Sequence, residues 1–112
     1  MKKDKLFLKK NPILKDFQKY IIKMEKERGF MDQTVIEKCL LLGEEVGELF
    51  KAIRKETNIK IDNHSKFKSI DYELVDIFMF LCAIANRLNI DLEKAFREKE
   101  EINKKRVWEK NK

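Results

Sequence analysis

Apolar side chains recur every three or four residues through four stretches of the chain, the spacing that lines one face of an α-helix. In the first, Ile13, Phe17, Ile21 and Met24 form a single stripe. In the second, the stripe runs Val35, Cys39, Leu42, Val46, Leu49, Phe50 and Ile53; in the third it runs Ile70, Leu74, Ile77, Leu81, Ile84 and Leu88. The fourth is shorter and more polar. The expected elements are helices over 12–28, 34–57, 69–88 and 91–108, an all-α, four-helix bundle-like architecture in one domain spanning 1–112. Residues 1–10 and 109–112 read as basic tails.

Local punctuation agrees with these limits. Asn11-Pro12 reads as a cap followed by proline at the first helical position, and Gly29 supplies a left-handed stop. Thr34, Ser69 and Asp91 are each placed to cap a helix start, and Asn89 to end the third helix. Between helices two and three, NIKIDNHSKFK has no clear period and reads as a polar connection. Leu40, Leu41 and Leu42 point in three directions, so the second helix is expected to be covered on more than one side. Gly43 and Gly47 each weaken it by about 1 kcal/mol relative to alanine, a cost expected to be offset by close approach of another helix. One chain then leaves apolar surface for a second copy, and a dimer or tetramer is expected.

Composition narrows the class without naming a function. Hydrophobic residues make up 43% and charged residues 41%, with three Gly and one Pro, a balance suited to amphipathic helices. No stretch approaches the roughly 20 apolar residues that cross a bilayer, and the start lacks a sustained apolar segment, so no membrane partner and a cytoplasmic location are expected. Cys39 and Cys82 sit among apolar neighbours and read as reduced, packed thiols. The net charge of +6 raises the possibility of nucleic acid, but the excess lies near the two ends while residues 44–48 and 71–76 concentrate acid, which argues against a phosphate backbone as partner.

Those acids carry the candidate chemistry. Glu45 and Glu48 lie about 60° apart on a helix, on a flank shared with Leu41 and Ala52, and Glu44 lies further round. Glu73 and Asp76 repeat the spacing, with Phe80 and Ala83 above them in the most apolar stretch of the chain. Folding the two helices antiparallel brings the pairs face to face. Carboxylates in a dry frame need a compensating cation, and an all-oxygen set suits Mg²⁺ or Mn²⁺ better than zinc. The single histidine, His64, falls in the connection and takes no role.

GEEVGELFKAIRK, followed by YELVDIFMFLCAIANRLNIDLEKAFREKEEINKKR, resembles the MazG-like all-α nucleoside triphosphate pyrophosphohydrolases, whose hallmark is EExxE, a spacer and ExxD. The resemblance covers about residues 35–106. It implies a MazG-type fold, oligomeric assembly, and Glu45, Glu48, Glu73 and Asp76 as Mg²⁺ ligands, with Glu44 and Glu45 as candidate catalytic acids that position or deprotonate water. It also implies a nucleoside triphosphate substrate, cleaved to monophosphate and pyrophosphate in a house-cleaning role. Lys99, Asn103 and Arg106 match a K-x-x-x-N-x-x-R run taken to approach the substrate, and Lys51 and Lys55 are further candidates for phosphate contact. Phe30 stands where relatives often have an aromatic residue that stacks on a base, and equally could staple the second helix. The competing class is a helical module that binds a nucleotide or a protein without turnover.

Overall fold

The computed structural model describes residues 6–57 and 70–107. Four helices follow in order: α1 (Leu14–Arg28), α2 (Val35–Glu56), α3 (Ile70–Arg87) and α4 (Leu92–Lys104). No strand occurs among the described residues. The expected all-α architecture is therefore what the chain adopts. The 58–68 connection, the Ser69 cap, His64 and Trp108 lie outside the described residues.

Helix ends follow local chemistry closely. At α2 the Thr34 hydroxyl accepts from the Glu37 N–H at 3.1 Å and the Glu37 carboxylate accepts from the Thr34 N–H at 3.3 Å, a reciprocal capping box. Asp91 caps α4 by accepting from the Lys94 N–H at 3.2 Å. Gly29 adopts φ 75°, and the Phe30 N–H reaches back to the Glu25 carbonyl at 2.8 Å, so α1 ends in a Schellman turn. α3 ends the same way, with Asn89 at φ 55° and Ile90 N–H donating to the Ala85 carbonyl at 2.9 Å.

Two expected boundaries are corrected. Asn11 does not cap α1: it takes φ 55°, and the helix starts after Ile13, whose N–H donates to the Asp16 carboxylate at 2.9 Å. That hydrogen bond, with Lys9 alongside, holds the Asp16 carboxyl below its usual value. α4 stops at Lys104, four residues before the expected limit, and Val107 beyond it is exposed.

α2 and α3 form the principal pair, α1 packs on α3, and α4 packs on α1. The α2–α3 pair runs antiparallel, since Lys38 lies beside Phe80 while Glu45, later in α2, lies beside Asp76, earlier in α3. The core cluster is small: Ile21, Met24, Cys82 and Ala83, with Phe17, Tyr20, Phe78 and Met79 packed around it. Phe17 and Phe78 meet edge to face at 5.4 Å between ring centres. Burial drives the Cys82 thiol up to about 11, so it stays protonated and inert at neutral pH.

The α1 stripe supplies Ile21, Met24 and Phe17 to the core, but the stripes expected on α2 and α3 are largely not the faces that those helices bury. α2 buries Lys38 and Ala52, whereas Cys39, Phe50 and Ile53 are exposed; on α3, Leu74 and Leu81 are exposed, as is Leu88 just past its end. The helices are rotated so that their acid-bearing flanks meet across the α2–α3 seam and their greasiest faces point outward. Nor does the close approach expected at the glycines occur among the described residues, where a Cβ added at Gly43 or Gly47 would meet nothing within 4 Å.

Candidate metal centre

The rotation of α2 and α3 brings the acids together. Glu45, from the middle of α2, and Glu73 and Asp76, one turn apart near the start of α3, each present a carboxylate oxygen, and the three oxygens lie within 4.8 Å of one another. Glu73 is 0% exposed, and Glu45 and Asp76 are half-buried. Like charges at such spacing repel, and removing them from water removes the solvation that would moderate the repulsion. Three carboxylate oxygens in this geometry fit a hard divalent cation, which prefers oxygen donors.

The remaining expected site residues divide by position. Glu48, one turn past Glu45, is half-buried and is not part of this close group; Glu44 is exposed. Lys51 lines a shallow surface cleft with Gly47, Phe50 and Arg54, and Lys55 is exposed near the end of α2. On α4, Lys99 is exposed and Asn103 half-buried, while Arg106 lies past the helix end, its N–H donating to the Asn103 carbonyl at 3.1 Å. Phe30 sits just after the α1 stop, 37% exposed, with its ring centre 5.1 Å from the Lys38 ammonium.

That ammonium belongs to a charged network that pattern reading missed. Lys38 pairs with Glu25 at 3.0 Å and also lies 5.5 Å from the Phe80 ring centre, one turn along α3 from Asp76. Arg87 grips the same Glu25 carboxylate through both terminal nitrogens at 2.8 Å. Its other donors reach the Gln33 carbonyl at 2.8 Å, the Phe30 carbonyl at 3.0 Å and the Ala83 carbonyl at 3.1 Å. All five guanidinium N–H groups are thereby used. Burial alone would raise the Glu25 carboxyl, but hydrogen bonds from Arg87 and Lys38, and their charges, outweigh it and hold the group below its usual value. The signal was available: Lys38 falls between Val35 and Leu42 at helical spacing, a charge at a stripe position.

Residues 32–108, which span both acid pairs and α4, match the family model for the MazG nucleotide pyrophosphohydrolase domain. The chain belongs to the MazG family. The crystal structure of iMazG from Vibrio DAT 722 is similar to this MazG chain at 30% identity and a TM-score of 0.60, covering 83% of this chain and 99% of that one. Comparison with curated protein sequences gives no match. Among the described residues of this MazG domain, no helix is long and apolar enough to cross a membrane.

Proposed function

We propose that the protein is a Mg²⁺-dependent pyrophosphohydrolase that converts a nucleoside or deoxynucleoside triphosphate and water into the monophosphate and pyrophosphate, clearing unwanted nucleotides. The observation that carries this reading is the meeting of oxygens from buried Glu73 and half-buried Glu45 and Asp76 within 4.8 Å. These three would hold the ion, with Glu48 entering from the adjacent turn; Mn²⁺ would fit the same donors. When bound, the ion supplies charge neutralisation of the phosphates and a water acidic enough to be deprotonated near neutral pH.

The chain's own groups do the rest. Glu44, the exposed neighbour of Glu45 on α2, would orient water and accept its proton, with Glu45 sharing that work. Lys99, Asn103 and Arg106 supply donors for phosphate oxygens, with Lys51 and Lys55 contributing positive charge from α2. Phe30 offers a ring face to the base at the Lys38 end of the α2–α3 seam. A second copy covers the outward apolar faces, whose members include Ile36 (74% exposed), Leu40 (69%), Phe50 (66%) and Leu74 (52%). The assembly is a dimer or a dimer of dimers.

The test is pyrophosphate release from a panel of ribo- and deoxyribonucleoside triphosphates, with Mg²⁺ and with chelator. Release from at least one triphosphate, abolished by chelator, is the expected outcome. Binding of nucleotide without release from any of them would instead favour the non-catalytic module.

A further inference from the structure

α4 is attached to the rest of the chain in an unusual way. Leu92 at its start packs against the edge of the core cluster, but no residue of α4 is fully buried, and Phe96 and Ile102 further along are 69% and 54% exposed, so apolar packing anchors the first turn and does little to fix the direction of the rest. Hydrogen bonds grip the same turn. Gln18, on α1 and 7% exposed, donates from Nε2 to the Ile90 carbonyl at 2.8 Å and to Asn86 Oδ1 at 3.2 Å, while its Oε1 accepts from the Leu92 N–H at 3.0 Å. Asn86 returns a bond to the Gln18 carbonyl at 3.0 Å. Leu92 is the first residue of α4, and its N–H is one of the donors that a helix leaves without an internal acceptor. A single buried carboxamide thus fastens both sides of the α3–α4 turn to α1.

We infer that Gln18 is a positioning residue for the reaction: it fixes the angle at which α4 presents Lys99 and Asn103 to the triphosphate. The inference rests on the reading above that these residues contact phosphate. Leverage makes the angle matter. Asn103 lies eleven residues beyond Leu92, about 16 Å along the axis, so a swing of about 10° at the turn moves it by about 3 Å. Misplacements of that size are enough to remove a hydrogen bond.

Two variants of the full chain separate positioning from stability. Gln18→Met keeps bulk and removes the bonds to both Ile90 and Leu92; Asn86→Leu breaks into the same network but leaves those two bonds in place. Both should lower the thermal midpoint. Gln18→Met should raise KM for the best triphosphate of the panel about tenfold, with kcat and the Mg²⁺ half-saturation within about twofold of the parent, whereas Asn86→Leu should leave KM within about twofold. A purely structural role would lower the active fraction, seen in kcat, and leave KM alone in both. Equal KM for the parent and Gln18→Met, or equal KM increases in the two variants, overturns the inference. Should Gln18→Met fail to fold, Gln18→Glu, which keeps the acceptor for Leu92, carries the test with an intermediate rise in KM expected and an unchanged KM overturning it. Lys99→Ala and Asn103→Ala report on the underlying reading: if they raise KM while Gln18→Met does not, the inference alone fails, and if they leave KM unchanged, the phosphate role of α4 fails and takes the inference with it.

Discussion

Glu25 and Glu73 are almost equally inaccessible, at 1% and 0% exposure, yet they are buried on opposite terms. Glu25 meets Arg87 and Lys38, two cations arranged to use both of its oxygens. Glu73 meets Glu45 and Asp76, two more acids. The first arrangement compensates the charge from within the chain and ties α1, α2, α3 and the 29–34 link together. The second gathers carboxylates of one sign, an arrangement that a divalent cation would offset. The matched charge serves the scaffold; on the reading proposed above, the gathered acids serve binding.

Removing a charge should therefore have opposite effects on stability in the two places. Arg87→Met strips Glu25 of its bidentate partner and leaves Lys38 alone to compensate a carboxylate with 2% side-chain exposure. Breaking a buried pair from one side costs about 3–5 kcal/mol, and the remaining Lys38 places this case near the low end. A fall of roughly 10 °C or more in thermal midpoint is expected by calorimetry. A midpoint within about 2 °C of the parent would show that the network is not what braces the helices.

Asp76→Asn is the counterpart in the acid cluster. It should reduce kcat/KM for triphosphate hydrolysis about 100-fold, equivalent to about 2.7 kcal/mol of transition-state stabilisation. Without metal, its thermal midpoint should equal or exceed that of the parent, because one of three mutually repelling charges is gone. Loss of activity together with a large loss of stability would place Asp76 with Glu25 as a scaffold residue, and the contrast would disappear.

How far the sequence reveals these two roles depends on what each helix face touches. Glu45, Glu73 and Asp76 were legible because acid set among Leu41, Ala52, Phe80 and Ala83 breaks an apolar pattern on two helices at the same spacing. Helix identity was legible for the same local reasons: the Thr34–Glu37 box, Gly29, Asn89 and Asp91 act within a few residues of themselves. The Asn11-Pro12 signal failed because Asp16 offers Ile13 a competing acceptor and moves the start of α1. Which stripe is buried was not legible, since hydrophobicity marks a face that must be covered without saying whether this chain or another copy covers it. Phe50 and Leu81 are apolar yet exposed in the single chain, and Lys38 is buried where a leucine would be expected. Glu25 and Arg87 were hidden differently: they are far apart in sequence, and each alone resembles an ordinary charge near a helix end.

Metal addition sharpens the comparison further. A ligand that binds the folded state alone stabilises it by mass action, so Mg²⁺ at about ten times its dissociation constant should add about 1.4 kcal/mol. The shift should survive in Arg87→Met, measured from its own lower baseline, because the network and the cluster occupy different parts of the α3 surface. It should shrink sharply in Asp76→Asn. An equal Mg²⁺ shift in parent and Asp76→Asn would mean that the ion acts elsewhere.

Acid gives the smallest effect and the most specific one. The folded-state value of Glu25 lies below its ordinary 4.5, so the unfolded chain binds the proton more readily. The stability contributed by the network is then complete above about pH 4.5 and is lost as pH falls through the lowered folded value. Glu25→Gln removes that titrating group. Denaturant titrations at neutral pH and at steps below 4.5 should give a shallower acid decline for Glu25→Gln than for the parent, even though the variant starts lower. Parallel declines would assign the acid sensitivity to other carboxylates and would leave Arg87 and Lys38 holding a group whose charge does not matter. That outcome would erase the distinction between the two buried glutamates from the scaffold side, as a scaffold-like Asp76 would erase it from the other.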